Sequence, residues 1–130
     1  MNPAIDLAIK PRRRRRWRPA SRKSAGHVCW LLEEAVAAAF AVAVDDLRAA
    51  SRSTAEAAFA RQCAMYLAHV ALGADCGKIG RMFHRDRTTV MYACQRVEMR
   101  RDDPAVDRLL DMLEGVCADL ARKTQLRVMR

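Results

Sequence analysis

Apolar residues return every three or four positions over most of the chain, and small polar clusters, glycines or a proline interrupt them. That period marks amphipathic helices. Val28, Leu31, Leu32, Ala35, Val36, Ala39 and Phe40 recur at i, i+3, i+4, i+7 and i+8, so a first helix is expected over 27–44. Glu33 and Glu34 begin its polar face, and Trp30 stands at its partly buried edge. Asp45-Asp46-Leu47 reads as a turn or a one-turn helix that tucks Leu47 under the core. Ser53 and Glu56 have capping-box spacing for a second helix, which runs to about Leu72 with Phe59, Cys63, Tyr66, Leu67 and Val70 inward. Gly73 is a fitting stop.

Asp75 can cap a short helix from Cys76 to Phe83, which buries Ile79 and Phe83. Gly77 and Gly80 weaken that helix intrinsically, and Gly80 would permit a close approach. His84-Arg85 makes a turn. Asp86 is placed to cap the following helix, Arg87 to about Met99, with Val90, Ala93, Cys94 and Val97 inward. Thr88, Thr89, Tyr92 and Arg96 occupy its other side. Asp103-Pro104 restarts a helix, and Val106, Leu109, Leu110, Leu113, Val116, Cys117 and Leu120 form its stripe. The fold class is therefore all-α, a small helical bundle. Helix, break, short helix, tight turn and helix between Ala60 and Val97 is the helix-turn-helix arrangement for reading a DNA major groove.

Charge divides the chain. Residues 1–26 hold nine Lys/Arg against one acid, whereas residues 27–130 hold fifteen against fourteen. The expected organisation is a disordered basic arm over 1–26, a folded domain over 27–122 and a basic tail over 123–130. Adjacent arginines repel one another and the flanking prolines block regular structure. A polyanion is the natural partner of such an arm. Arg12, Arg13, Arg14, Arg15, Arg16 and Arg18 can follow phosphates or enter a narrow minor groove, and Trp17 can stack on a base.

The remaining chemistry is sparse. Five cysteines occur without a CxxC, four of them at apolar helical positions, so they read as small buried hydrophobes rather than a disulfide framework or a zinc site. The segment from Gly73 to Ile79 is one residue short of a phosphate loop and has Ile79 where a hydroxyl should hold magnesium, which argues against nucleotide binding. No nucleophile–base constellation stands out, and no enzymatic activity, metal or cofactor is expected. No apolar run is long enough to span a bilayer, and no secretory signal is present. The expected location is the cytoplasm, on the nucleoid.

Three spaced elements carry a resemblance: Arg61-Gln62-x-Ala64-Met65-Tyr66-Leu67-Ala68, Ile79-Gly80-x-x-Phe83, and Arg85-Asp86-x-Thr88-Thr89-Val90-x-x-Ala93. Over residues 28–122 the chain resembles the C-terminal DNA-binding domain of the bacterial chromosomal replication initiator DnaA, a Trp-repressor-like helical bundle. With no room for the initiator's ATPase module, it resembles in particular the small stand-alone DnaA-related proteins of alphaproteobacteria. The resemblance implies binding to a short A·T-rich box, with the recognition helix in the major groove and a loop arginine in the minor groove. Asp86, Thr88 and Thr89 match the family signature, and Arg87 stands where the family has His. Arg52 is the candidate for the minor-groove arginine, and Arg61, Gln62, Lys78 and Arg85 match or lie near phosphate-contacting positions. The family usually has two glycines before its Arg-Asp pair, whereas His84 alone stands here, so the turn is one residue shorter. The implied function is sequence-preferring recognition of initiator-box-like duplexes that regulates replication initiation. Two alternatives remain open at this point. One is a module that binds the initiator or its regulatory ATPase and has lost box reading; the other is a transcription regulator.

Overall fold

The computed structural model describes the backbone of residues 22–49 and 54–129 and the side chains of 28–49 and 54–123. Among the described residues there are six helices and no strand: α1 Arg22–Phe40, α2 Val44–Arg48, α3 Ala55–Val70, α4 Cys76–Phe83, α5 Arg87–Arg100 and α6 Pro104–Met129. The chain is an all-α bundle with a helix-turn-helix formed by α4 and α5, as the periodicity predicts. The most extensive packing is of α3 on α5 and of α1 on α6, followed by α4 on α5 and α1 on α3.

α3 is the axle. Ala57, Ala60, Cys63, Ala64, Met65, Tyr66, Leu67 and Ala68 are all buried, which is wider than a single stripe. Five other helices touch it, and its alanines let them come close. Val28, Leu32 and Val36 of α1 join Leu110, Leu113 and Cys117 of α6 in the core, while Ile79, Phe83, Val90, Cys94 and Val97 anchor the helix-turn-helix to it. Each such aliphatic side chain contributes about 1.5–3 kcal/mol on burial. All five cysteines are free and buried. Burial pushes the thiols of Cys63, Cys94 and Cys117 up to about 12, so they pack as apolar groups.

Several element ends differ from the sequence reading. α1 begins at Arg22, inside the segment expected to be an arm, and stops at Phe40 rather than near Val44. Ala41 takes a positive φ of 55°, and the Val42 N–H donates to the Ala37 carbonyl (3.0 Å), which closes the helix. α3 is capped by Thr54 rather than Ser53, with Thr54 Oγ1 accepting from the Ala57 N–H (3.1 Å). α6 continues to Met129 through the expected basic tail. Lys, Arg, Gln, Leu and Met are all good helix formers, so nothing local stops it.

Two charged residues lie inside. Glu33, expected on the polar face of α1, is buried and accepts from Arg48 Nε (2.5 Å) and Nη2 (2.8 Å). This fork pins α2 against α1. Arg101, just beyond α5, is buried in a carboxylate cluster. Trp30 is about half exposed at the edge of α1. Among the described residues no helix is long and apolar enough to cross a membrane.

Candidate nucleic-acid interface

The turn of the helix-turn-helix is built by three residues. Asp75 Oδ1 accepts from the Lys78 N–H (2.9 Å), which starts α4 and holds the Asp75 carboxyl below its usual range. His84 ends α4 in the left-handed region (φ 56°, ψ 47°), and the Arg85 N–H donates back to the Gly80 carbonyl (2.8 Å). A Cβ on Gly80 would sit 2.4 Å from the Arg85 carbonyl oxygen. Gly80 therefore lets the turn fold onto α4, and His84 supplies the reversal. A left-handed non-glycine residue costs about 1–2 kcal/mol. His84→Gly is accordingly expected to raise stability by about 0.5–1 kcal/mol, after allowance for glycine's extra freedom in the unfolded chain. Thermal denaturation checks this; a fall in melting temperature would mean that the imidazole itself holds the turn.

α5 is held from beneath by Val90, Ala93, Cys94 and Val97. Its first turn is on the outside, where Asp86, Arg87, Thr88 and Thr89 are all exposed. Asp86 occupies the cap position (φ −67°, ψ 152°), yet its carboxylate makes no cap hydrogen bond, contrary to the capping role expected for it. The acceptor is left facing solvent. Farther along the same outer side stand Tyr92, 68% exposed, and Arg96.

A groove runs beside this surface between α3 and α5. Arg61 and Gln62 line one wall, Thr89, Tyr92, Arg96 and Arg100 the other, and Arg85 lies at the end. Two of the arginines expected at phosphates also have internal partners. Arg61 donates from Nε to the Leu47 carbonyl (2.7 Å) and from Nη2 to that of Asp46 (2.9 Å). Partial burial, and then the charge of Arg85, lower the Arg61 pKa. Arg85 donates from Nη1 to the carbonyls of Phe83 (2.9 Å) and His84 (3.4 Å), and from Nη2 to that of Ala49 (2.9 Å). Together they tie the end of α2 and the start of the following loop to the recognition unit. A residue can thus position a loop and still face a phosphate, because guanidinium has five donors.

Lys78 is half-buried on the first turn of α4, with exposed Arg81 one turn on; both line a shallow hollow with Asp75 and Met82. Arg52, and the arm residues Arg12 to Arg16, Trp17 and Arg18, lie outside the described residues. The sequence reading did not single out Arg81 or Arg100 for this surface. Their signal was spacing: Arg81 follows Lys78 by three positions and Arg100 follows Arg96 by four, which brings each pair to one helix side. Arg100 also rests over the Phe59 ring, 4.5 Å from its centroid. The assembled surface offers cationic donors, the carboxylates of Asp75 and Asp86, and hydroxyl and methyl groups. Those are the groups that recognise phosphates and base edges.

Comparison with known proteins places the chain in a family. A family model described as "Bacterial dnaA protein helix-turn-helix" matches residues 31–97, from α1 into the inward face of α5. The chain is similar to the chromosomal replication initiator protein DnaA of Thermodesulfovibrio yellowstonii, 33% identical over 85 residues, which is 64% of this chain and 19% of the relative. It is also similar to DnaA of Clavibacter sepedonicus, 50% identical over 62 residues, 47% of this chain and 13% of the relative. DnaA of Leifsonia xyli is 49% identical over 59 residues, 45% of this chain and 12% of the relative. The chain thus matches less than a fifth of the length of each.

Proposed function

The chain belongs to the bacterial DnaA helix-turn-helix family, and from that premise we propose that it binds double-stranded DNA, prefers sites like the A·T-rich initiator boxes, and regulates the initiation of chromosomal replication. It acts by binding, without an enzymatic step, and works on the nucleoid. The observation that carries this reading is the exposed first turn of α5. Asp86, Arg87, Thr88 and Thr89 stand clear of the fold while the helix beneath them is locked to α3 and α4. Groups that read bases must be rigidly held and unspent.

In this reading α5 enters the major groove by its N-terminal end. The Thr88 and Thr89 methyls pack on thymine methyls, and their hydroxyls bond base edges or phosphate. Lys78, Arg81 and Arg96 supply sequence-independent affinity, with Gln62 at the groove wall. Arg61 and Arg85 act twice, at phosphates and as tethers of the 46–49 segment, and Arg52 reads the minor groove. The basic arm adds phosphate contacts.

Fluorescence anisotropy with an initiator-box duplex and a scrambled duplex, across a salt series, tests the proposal. The box is expected to bind at least tenfold more tightly. A Thr88→Ala, Thr89→Ala double variant is expected to lose about 1–3 kcal/mol of that discrimination per direct contact removed. The salt slope should stay nearly unchanged, because each phosphate contact contributes about −0.9 to it. Equal binding of both duplexes by the intact chain would sink box reading. Specific capture of the initiator or its regulatory ATPase, surviving nuclease and the threonine substitutions, would favour the protein-interaction alternative instead.

A further inference from the structure

The arginines of the described surface differ in what they are already doing. Arg48 is committed to Glu33, Arg61 and Arg85 to backbone carbonyls, and Arg101 to carboxylates. Arg87 is different. It is the first residue of α5, it is exposed, and among the described residues its guanidinium has no hydrogen-bond or ion-pair partner. It borders a hollow formed with Gly77, Gly80, Arg81 and the His84–Asp86 turn. Gly80 is covered by the Arg85 carbonyl, so the hollow beside Arg87 lies over the turn itself. Beside it stands the Asp86 carboxylate, which makes no cap bond.

An unspent donor fork and an unspent acceptor on adjacent residues constrain what can lie against them. A phosphate suits Arg87 but is repelled by Asp86. The major-groove edge of a G·C pair suits both. Guanine O6 and N7 are two acceptors that match the guanidinium fork, and the cytosine N4 amino group beside them is a donor for a carboxylate. An A·T pair has no such double acceptor on one base. N1 of a recognition helix is also among the positions that reach base edges.

We infer that Arg87, with Asp86 beside it, makes this chain select a G·C pair at the site position facing the start of α5. The inference rests on the duplex-reading role proposed above.

The test is selection of bound duplexes from a library randomised over the site, with the intact chain and with Arg87→Ala, Arg87→His and Asp86→Asn. Chosen duplexes are then compared in competition anisotropy at two salt concentrations. The intact chain is expected to favour guanine at one position about tenfold or more. Arg87→Ala should flatten that position alone and leave the thymine preferences opposite Thr88 and Thr89. Arg87→His should not restore guanine, and Asp86→Asn should weaken the same position. All three residue changes are at exposed positions, and thermal melting confirms the fold. A guanine preference that survives Arg87→Ala would overturn the inference. So would a uniform loss of affinity for every sequence with a smaller salt slope, which marks a phosphate contact. No preference at any position by the intact chain would overturn the duplex-reading role itself, a result distinct from retained thymine selection without the guanine step.

Discussion

Replacing Arg101 with methionine is expected to lower the stability of the domain by about 3–5 kcal/mol, the usual effect of removing one partner from a buried ion pair. The Arg101 guanidinium donates from Nε to Asp107 (2.7 Å), from Nη2 to Asp111 (2.5 Å), and from Nη1 to Glu114 (2.8 Å) and to the Tyr66 hydroxyl (3.2 Å). Tyr66 in turn donates to Glu98 Oε1 (2.8 Å). Burial and the Glu98 acceptor hold the Tyr66 phenol above its ordinary pKa, so it stays a donor. Asp107 and Asp111 are partly exposed and can hydrate, but the Glu114 side chain is 2% exposed and cannot. Methionine keeps the stem of the arginine while stripping the guanidinium from that buried carboxylate. The melting temperature should fall by more than about 10 °C for a domain of this size. Adding Glu114→Gln should recover part of the loss, because the buried charge goes with its partner. A fall of less than about 1 kcal/mol would mean that water reaches the cluster and screens it. The cluster joins the end of α5 to α6 and α3, so the same change is expected to loosen the recognition helix.

Gly80→Ala is the second change with a large expected effect, and it runs against helix propensity. In an unconstrained helix interior, alanine is better than glycine by about 1 kcal/mol. At position 80 the new methyl would lie 2.4 Å from the Arg85 carbonyl oxygen, which is backbone and has no rotamer to escape into. The turn must open, which strains the Arg85 N–H to Gly80 carbonyl bond and shifts α5 on α4. A net destabilisation of about 1–3 kcal/mol is expected. Discriminating DNA binding should fall more steeply than stability, because the reading side chains move as one body. Gly115→Ala is the control. Beyond its own stretch of helix, no atom lies within 4 Å of a Cβ built there, so it should gain up to about 1 kcal/mol and leave DNA binding unchanged. Circular dichroism melts and anisotropy on the three proteins check the contrast. Gly80→Ala as stable and as discriminating as the parent would show that the close approach is not needed.

Much of the fold was legible because helices repeat locally. The inward set of α5 follows directly from spacing, as does most of that of α6, though Val116 stays out of the core while Glu114 and Ala121 are buried; so do the Asp75 cap and the Gly73 stop, whose φ is 74°. The end of α1 was not legible. Alanine carries no signal for a left-handed residue, yet Ala41 adopts one because α2 must turn back under the core. The Ser53–Glu56 spacing points to Ser53 as the cap of α3, but the neighbouring hydroxyl of Thr54 is the one that accepts from the Ala57 N–H. At the candidate interface, the motif located Asp86, Thr88 and Thr89 on the first turn. It did not reveal that Asp86 leaves the cap unmade, or that Arg61 and Arg85 hold the α2 end in place.

Features that depend on neighbours within a turn or two can be read along the chain: helix periods, the turn between α4 and α5, and the group of charged and hydroxyl residues opening α5. How charge is used is set by the assembled fold. Glu33 and Arg101 look like surface residues in the chain, and each is buried because a partner arrives from a separate element, Arg48 from α2 and Glu114 from α6. The same long-range packing engages Arg61 and Arg85 with carbonyls from the 46–49 segment and leaves Arg87 open. Desolvation and hydrogen bonding act over the assembled fold, so a residue's type states which bonds it can make, and its packing states which remain for a ligand.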